Sequence, residues 1–252
     1  MNLPKLEANA PSKFLEEVGI TIAAKDLTPT MVSQDFLKFS GIIPKEWEVV
    51  QQPVLNPGIA QLNFKNGVSI NAQPGNITFN ESASNKKFDE INIPNIAAEY
   101  AKKLPHADYI GLSFNPKLLL PFPNNPQTAR KYITGQLLGS GSWKEIGKAP
   151  VQAGLNLMYL LDRCQLNISI AEAKIQQPQQ PSMFAVLFSG SFNYALGNIT
   201  SSQEKLNKLI QALNFWRSDL TTFREIVTDK FLESTSLTDS PQEESVFPTG
   251  TM

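Results

Sequence analysis

Acid–base or nucleophilic chemistry near neutral pH most often recruits a histidine or an activated thiol. This chain has one of each, His106 and Cys164. His106 follows Pro105 in the loop after a helical segment. A Ser-His-Asp triad or a His-rich metal site would need it in a cleft beside specific partners, and it reads as a loop histidine. Arg163 beside Cys164 could lower the thiol pKa. Cys164, however, opens a segment of period-two apolarity and reads as a structural strand residue. One Cys and one His cannot build a zinc cluster. Gly139-Ser140-Gly141-Ser142 is the one glycine-rich loop. It follows a helix and lacks the Lys and the following helix of a phosphate loop, so it reads as a helix stop. Asp162, Glu172 and Lys174 lie on or near adjacent strands, with Glu172 and Lys174 on one face. A solvated face carrying an ion pair explains them. Two carboxylates converging in a cleft would be needed for acid–base work. No catalytic, cofactor-binding or metal set is assigned, and no cofactor is expected.

Composition narrows the partners. The chain has 252 residues, 41% apolar and 18% charged, with a formal net charge of -1. Asn, Gln, Ser and Thr fill much of the surface. No block of Lys and Arg is present to displace counterions, which argues against nucleic acid and against an anionic membrane surface. The segment Met1-Asn2-Leu3-Pro4-Lys5-Leu6-Glu7 lacks the apolar centre of a signal peptide. No apolar run approaches the roughly 20 residues that span a bilayer. With a single cysteine there is no internal disulfide framework. A cytoplasmic protein without membrane insertion is expected, and the Asn76-Ile77-Thr78 and Asn198-Ile199-Thr200 sequons are read as incidental.

The elements that would position any site are organised around Ser201 to Phe231. Ser201 and Glu204 have capping-box spacing. Leu206, Leu209, Leu213, Trp216, Leu220, Phe223 and Val227 follow at steps of three and four, one helical face. A seam for self-association is one reading of that stripe. Ile210, Ala212 and Ile226 widen it beyond a coiled-coil seam, and Trp216 and Phe223 are bulky for one. The stripe therefore predicts one long helix packed on a sheet.

Upstream, Ser12 to Val18 is expected to form a helical turn or two, and Gly19 to Ala23 a strand. Thr28-Pro29 starts a helix burying Met31, Val32, Phe36, Leu37 and Phe39, stopped at Gly41. Strands follow at Trp47–Gln52, Ile59–Phe64, Val68–Ala72 and Ile77–Asn80. Glu81 to Asp89 is polar and reads as a mobile loop, and Pro94 to Leu104 as a helix. The order then repeats. Tyr109 to Phe114 is a strand, Asn125-Pro126 starts a helix burying Tyr132, Ile133, Leu137 and Leu138, and Gly139 ends it. Strands come at Leu155–Leu161, Gln165–Ile175 and Met183–Tyr194. Thr28-Pro29 and Pro53-Val54 map onto Asn125-Pro126 and Pro150-Val151 at an offset of about 97 residues, far beyond a solenoid period. The expected fold is α+β: two similar halves, 12–104 and 105–232, each a mainly antiparallel meander with helices on one face, closed by the long C-terminal helix. They would join edge to edge about a pseudo-twofold axis. The runner-up is a single curved sheet wrapping that helix.

A two-half α+β chain ending in Phe215-Trp216…Phe223…Thr228-Asp229-Lys230-Phe231 resembles a sporadic, uncharacterised bacterial family of similar length. The resemblance implies the fold class and a bacterial source, and carries no function. Residues 233–252 are rich in Ser, Thr, Glu and Pro and read as a disordered tail. Val246 and Phe247 are its apolar cluster and its candidate partner-docking residues. The function expected is a non-enzymatic interaction or scaffold role with a protein partner or self-association. The alternative is a small-molecule binder or enzyme with a site between the halves.

Overall fold

A computed structural model describes residues 14–122, 127–176 and 182–232. Nine strands carry the fold: β1 (Leu15–Ala24), β2 (Val54–Asn56), β3 (Ile59–Asn63), β4 (Val68–Gln73), β5 (Asn76–Ser82), β6 (Tyr109–Phe122), β7 (Leu155–Leu160), β8 (Gln165–Ile175) and β9 (Met183–Ala195). They form one sheet in the order β2-β3-β4-β5-β1-β6-β9-β8-β7, and every adjacent pair is antiparallel. Short turns join β3 to β4 and β4 to β5, where Gly67 and Gly75 take the positive φ that such hairpins require. β1 breaks the local pattern. It lies at the centre, with Ile20 opposite Phe79 of β5 on one side and Phe114 of β6 on the other. The β1–β6 pair is the seam along which the segment before residue 105 meets the one after it.

Because side chains alternate across a strand, the pairing registers sort them into two faces. One face is apolar: the cross-strand row Leu62, Ile70, Phe79, Ile20, Phe114, Phe192 and Leu166 has no member more than 2% exposed. The helices cover it. They are α1 (Gln34–Phe39), α2 (Ile93–Lys103), α3 (Thr128–Lys131, continued by a wider π-type turn over Tyr132–Leu137), α4 (Ser202–Leu213) and α5 (Trp216–Glu225, ending in a π-type turn over Ile226–Leu232). α2 packs on β1 and β5, α3 on β9, and α4 and α5 on β6. Leu206, Leu209, Leu213, Leu220, Phe223 and Val227 are buried against the sheet, so the stripe serves the core and not a partner helix.

The helix carrying that stripe is broken, contrary to the single helix its spacing predicts. At Asn214 and Phe215 the amides bond back over short three-residue steps, to Gln211 and Ala212, which tightens the turn. The break lets Phe215 stack on Tyr194, with ring centroids 6.2 Å apart. Trp216 is only half-buried, edge-on to Phe88. Of the expected capping box only one arm forms: the Glu204 amide donates to Ser201 Oγ at 3.4 Å.

Other expectations are corrected by long-range pairing. Residues 15–18 are strand, not helix; the Glu16 amide donates to Ser84 Oγ at 2.8 Å and its carboxylate is held by Arg224 at 2.8 and 2.6 Å. Thr28-Pro29 opens only a 3-10 turn. The helix begins at Gln34, where Ser33 Oγ accepts from the Phe36 amide at 3.1 Å. Phe39 lies on its outer side, 84% exposed. Trp47–Gln52 makes only the isolated Val49–Phe64 bridge, and the edge strand is Val54–Asn56. Residues 81–89 are no loose loop: the buried Glu81 carboxylate accepts from the Asn92 amide (2.7 Å), the Ile93 amide (3.0 Å) and Lys86 (2.7 Å), closing the start of α2. β6 runs on to Phe122 through Pro116 and Pro121. Pro116 falls in a gap of the β6–β9 ladder, between Phe114↔Phe192 and Lys117↔Ser189, where a missing amide costs little. Asn125-Pro126 lies outside the described residues.

Candidate functional site

Among the described residues no helix covers the second face of the sheet, and its composition is unlike that of the first. Alternate residues of the same strands form a row running Gln61, Asn71, Thr78, Thr21, Ser113, Asn193 and Gln165. A parallel row runs Asn63, Ser69, Asn80, Gly19 and Asn115, and continues through Ser191 and Asn167. Among the described strand residues of this face the only charges are Glu17 and Lys117, an ion pair at 2.8 Å with both side chains 45% exposed. None of the described strand residues of this face is aromatic.

These side chains bond to one another across the strands. Thr21 and Thr78 hydroxyls meet at 2.9 Å. Asn115 Nδ2 donates to Thr21 Oγ1 at 3.2 Å, and Ser191 donates to Asn115 Oδ1 at 2.9 Å. Ser113 donates to Asn193 Oδ1 at 2.7 Å, and within β8 Gln165 Nε2 donates to Asn167 Oδ1 at 3.1 Å. The network crosses the β1–β6 seam and orients the amides. Gly19 makes the crossing possible. A Cβ there would stand 2.9 Å from Asn80 Oδ1 and 3.4 Å from the Asn115 carbonyl oxygen. From Thr78 and Asn80 across to Asn156 and Met158 the face curls into an open groove of ≈ 590 Å³. Toward the other end of β1 the polar rows give way to an apolar one, Leu15, Leu119, Leu187 and Ala171.

A buried titratable cluster lies elsewhere, around Asp219. Asp219, in the first turn of α5, is fully buried. It accepts from the Tyr194 hydroxyl at 2.6 Å, from Arg163 Nε at 3.1 Å and from the second Arg163 guanidinium nitrogen. Burial pushes the carboxyl above the usual carboxylate range, while Tyr194 and Arg163 pull it back. Burial, then Asp219, raises the Tyr194 phenol. Every member is spent on another, so the cluster pins α5 to the β8–β9 end and leaves no group to transfer a proton to a substrate.

The residues the sequence offered for chemistry do not come together. His106 is exposed after α2 and lines a small hollow of ≈ 250 Å³ with Asp26, Leu27, Met31 and Lys103. Cys164 sits at the β7–β8 turn, and burial raises its thiol pKa, opposing activation by Arg163. Glu172 is not paired with Lys174. It takes a two-point grip from Arg130 at 2.9 and 3.2 Å, whereas Lys174 stands over the Phe184 ring. Asp162 is exposed, and Gly139 to Gly141 leads into a single 3-10 turn at Ser142–Glu145. Among the described residues no three His, Cys, Asp or Glu gather as metal ligands, and no helix is long and apolar enough to cross a membrane. Val246 and Phe247 lie outside the described residues. The open polar face was missed from sequence, although its signal is there: Ser113, Asn115 and Lys117 alternate with apolar residues, as do Gln165, Asn167 and Ser169, and Ser189, Ser191 and Asn193 stand at the same spacing. No family model matches this sequence, and no curated protein matches it significantly.

Proposed function

We propose that this chain is a non-enzymatic interaction protein that engages its partner through the open face of the sheet. The observation that carries the reading is the uninterrupted field of oriented, uncharged amides and hydroxyls running from Gln61 to Gln165 across the seam. Such a surface offers donors and acceptors without the desolvation cost of charge. It fits a neutral, hydrogen-bonding partner surface, and its Glu17–Lys117 pair is spent on itself at 2.8 Å. The groove of ≈ 590 Å³ at the seam favours a second reading, a neutral small-molecule site between the two halves. The shared order of strand, helix, meander and helix on either side of β1–β6 supports descent of the two halves from one duplicated unit. The single cysteine supports work in a reducing bacterial cytoplasm.

The test is capture from host extract by the full-length chain and by Asn115→Arg, with Phe39→Arg as a control on the helical side. A partner held by wild type and by the control, but lost with Asn115→Arg while the melting temperature is kept, is the expected outcome. Equal capture by all three overturns the reading. Wild-type stabilisation by neutral small molecules with no partner captured decides for the second reading.

A further inference from the structure

The two edges of the sheet are built differently. β2 is three residues long, with Pro53 before it and Pro57 after it. A short, proline-flanked edge is a poor template for further pairing. β7, Leu-Asn-Leu-Met-Tyr-Leu, holds no Pro, Gly or charge, and exposes Met158 (64%), Tyr159 (39%) and Leu160 (81%) on both sides of the sheet. Within the strand and among the described residues, none of the usual guards of an edge strand is present.

Its free hydrogen-bonding groups can be assigned. The Leu161 amide donates to the Cys164 carbonyl at 2.9 Å, and Leu160 is paired with Gln165, Tyr159 with Leu166. In an antiparallel ladder bonded pairs recur at every second residue. Tyr159, Leu157 and Leu155 therefore bond inward to β8, and Asn156, Met158 and Leu160 present their N–H and C=O groups outward. We propose that β7 pairs with β7 of a second copy of this chain, antiparallel about a twofold axis at Met158, so that the two sheets become one. In that register Met158 faces Met158 of the partner subunit, and Asn156 faces the partner subunit's Leu160. All outward groups of the strand are then satisfied, by about six backbone bonds. On the helical face Leu157 meets Tyr159 of the partner subunit, an aliphatic–aromatic cross-strand pair. A second copy is the occupant the strand specifies. The register maps the strand onto itself, keeps each face continuous with its like, and leaves no charge on β7 for an unlike partner to read.

Sedimentation of the full-length wild type should give twice the 27.9 kDa chain mass, and Met158→Lys, which places a charge on the axis, should give the monomer with its melting profile otherwise cooperative. A disulfide readout fixes the register. In a Cys164→Ser background, Met158→Cys should cross-link on mild oxidation, because bonded partners lie about 5.5 Å apart at Cα, within disulfide reach. Leu160→Cys, facing Asn156 of the partner subunit, should not. A wild type that stays monomeric at all concentrations overturns the proposal. So does a dimer indifferent to Met158→Lys, or cross-linking through Leu160→Cys in preference to Met158→Cys.

Discussion

The same strands build both faces of this sheet, and the two faces meet different physical demands. Beneath the helices, residues such as Ile20, Phe79 and Phe192 are removed from water, and each contributes by area. On the open side, Thr21, Thr78 and Asn193 stay half-exposed and exchange hydrogen bonds whose net value is about 1 kcal/mol each. Stability is therefore concentrated on one face. The other is left free to vary, which is the condition a recognition surface needs.

Substitutions on the covered face should show how steep that division is. Phe223→Ala should lose about 3–5 kcal/mol in urea unfolding, since the ring is fully buried over Gly190. Trp216→Ala should lose clearly less, because that side chain is only partly buried. Equal losses would mean that α5 is seated differently. Gly190→Ala comes next. An added methyl would stand 2.8 Å from the Phe223 ring and 3.1 Å from Pro116, so the helix must lift, at about 1–3 kcal/mol. An unchanged urea midpoint would show that the contact between α5 and β9 yields easily.

The smallest effect tests the charged rim where the covered face ends. Asp108 accepts from Lys205 and from Lys25, the latter at 2.8 Å. Those hydrogen bonds, Lys205 first, hold its pKa down to about 2. A carboxyl with a lowered folded-state pKa stabilises above its unfolded value and loses that contribution as the pH falls through the folded one. Asp108→Asn should therefore flatten the loss of stability between about pH 4 and pH 2. A variant with the wild-type acid slope would show that the lysines hold the carboxylate no better than water does.

How much of this could be read in advance varies by element. β8 was legible residue for residue, and β3, β4, β7 and β9 nearly so, because each alternates and is bounded by turn residues. The start of β1 was not, because Leu15 to Val18 has a helical look that only pairing with β5 and β6 overrides. Nor was the break at Asn214, which depends on Tyr194 being in place to receive Phe215. The α+β class was legible. The open face was not, since alternation shows that each strand has a polar side, but the strand order alone shows that those sides line up. Glu81 looked like loop polarity because its partners at Asn92 and Ile93 belong to the following helix.

The central place of β1 sets an order of events in synthesis. Of the nine strands β1 leaves the ribosome before the others, yet Gly19 has partners at Asn80 and at Asn115. With residues added at about 5–20 per second, the strand waits several seconds for its second neighbour. During that interval Val18 to Ile22 is one side of an open ladder, joined to β5 at best. Closing it requires contacts distant in sequence, which slows folding. A nascent chain cut short before β6 would carry that open strand permanently and would seek any other strand to fill the place. The middle of the finished sheet is thus the growing chain's most exposed edge.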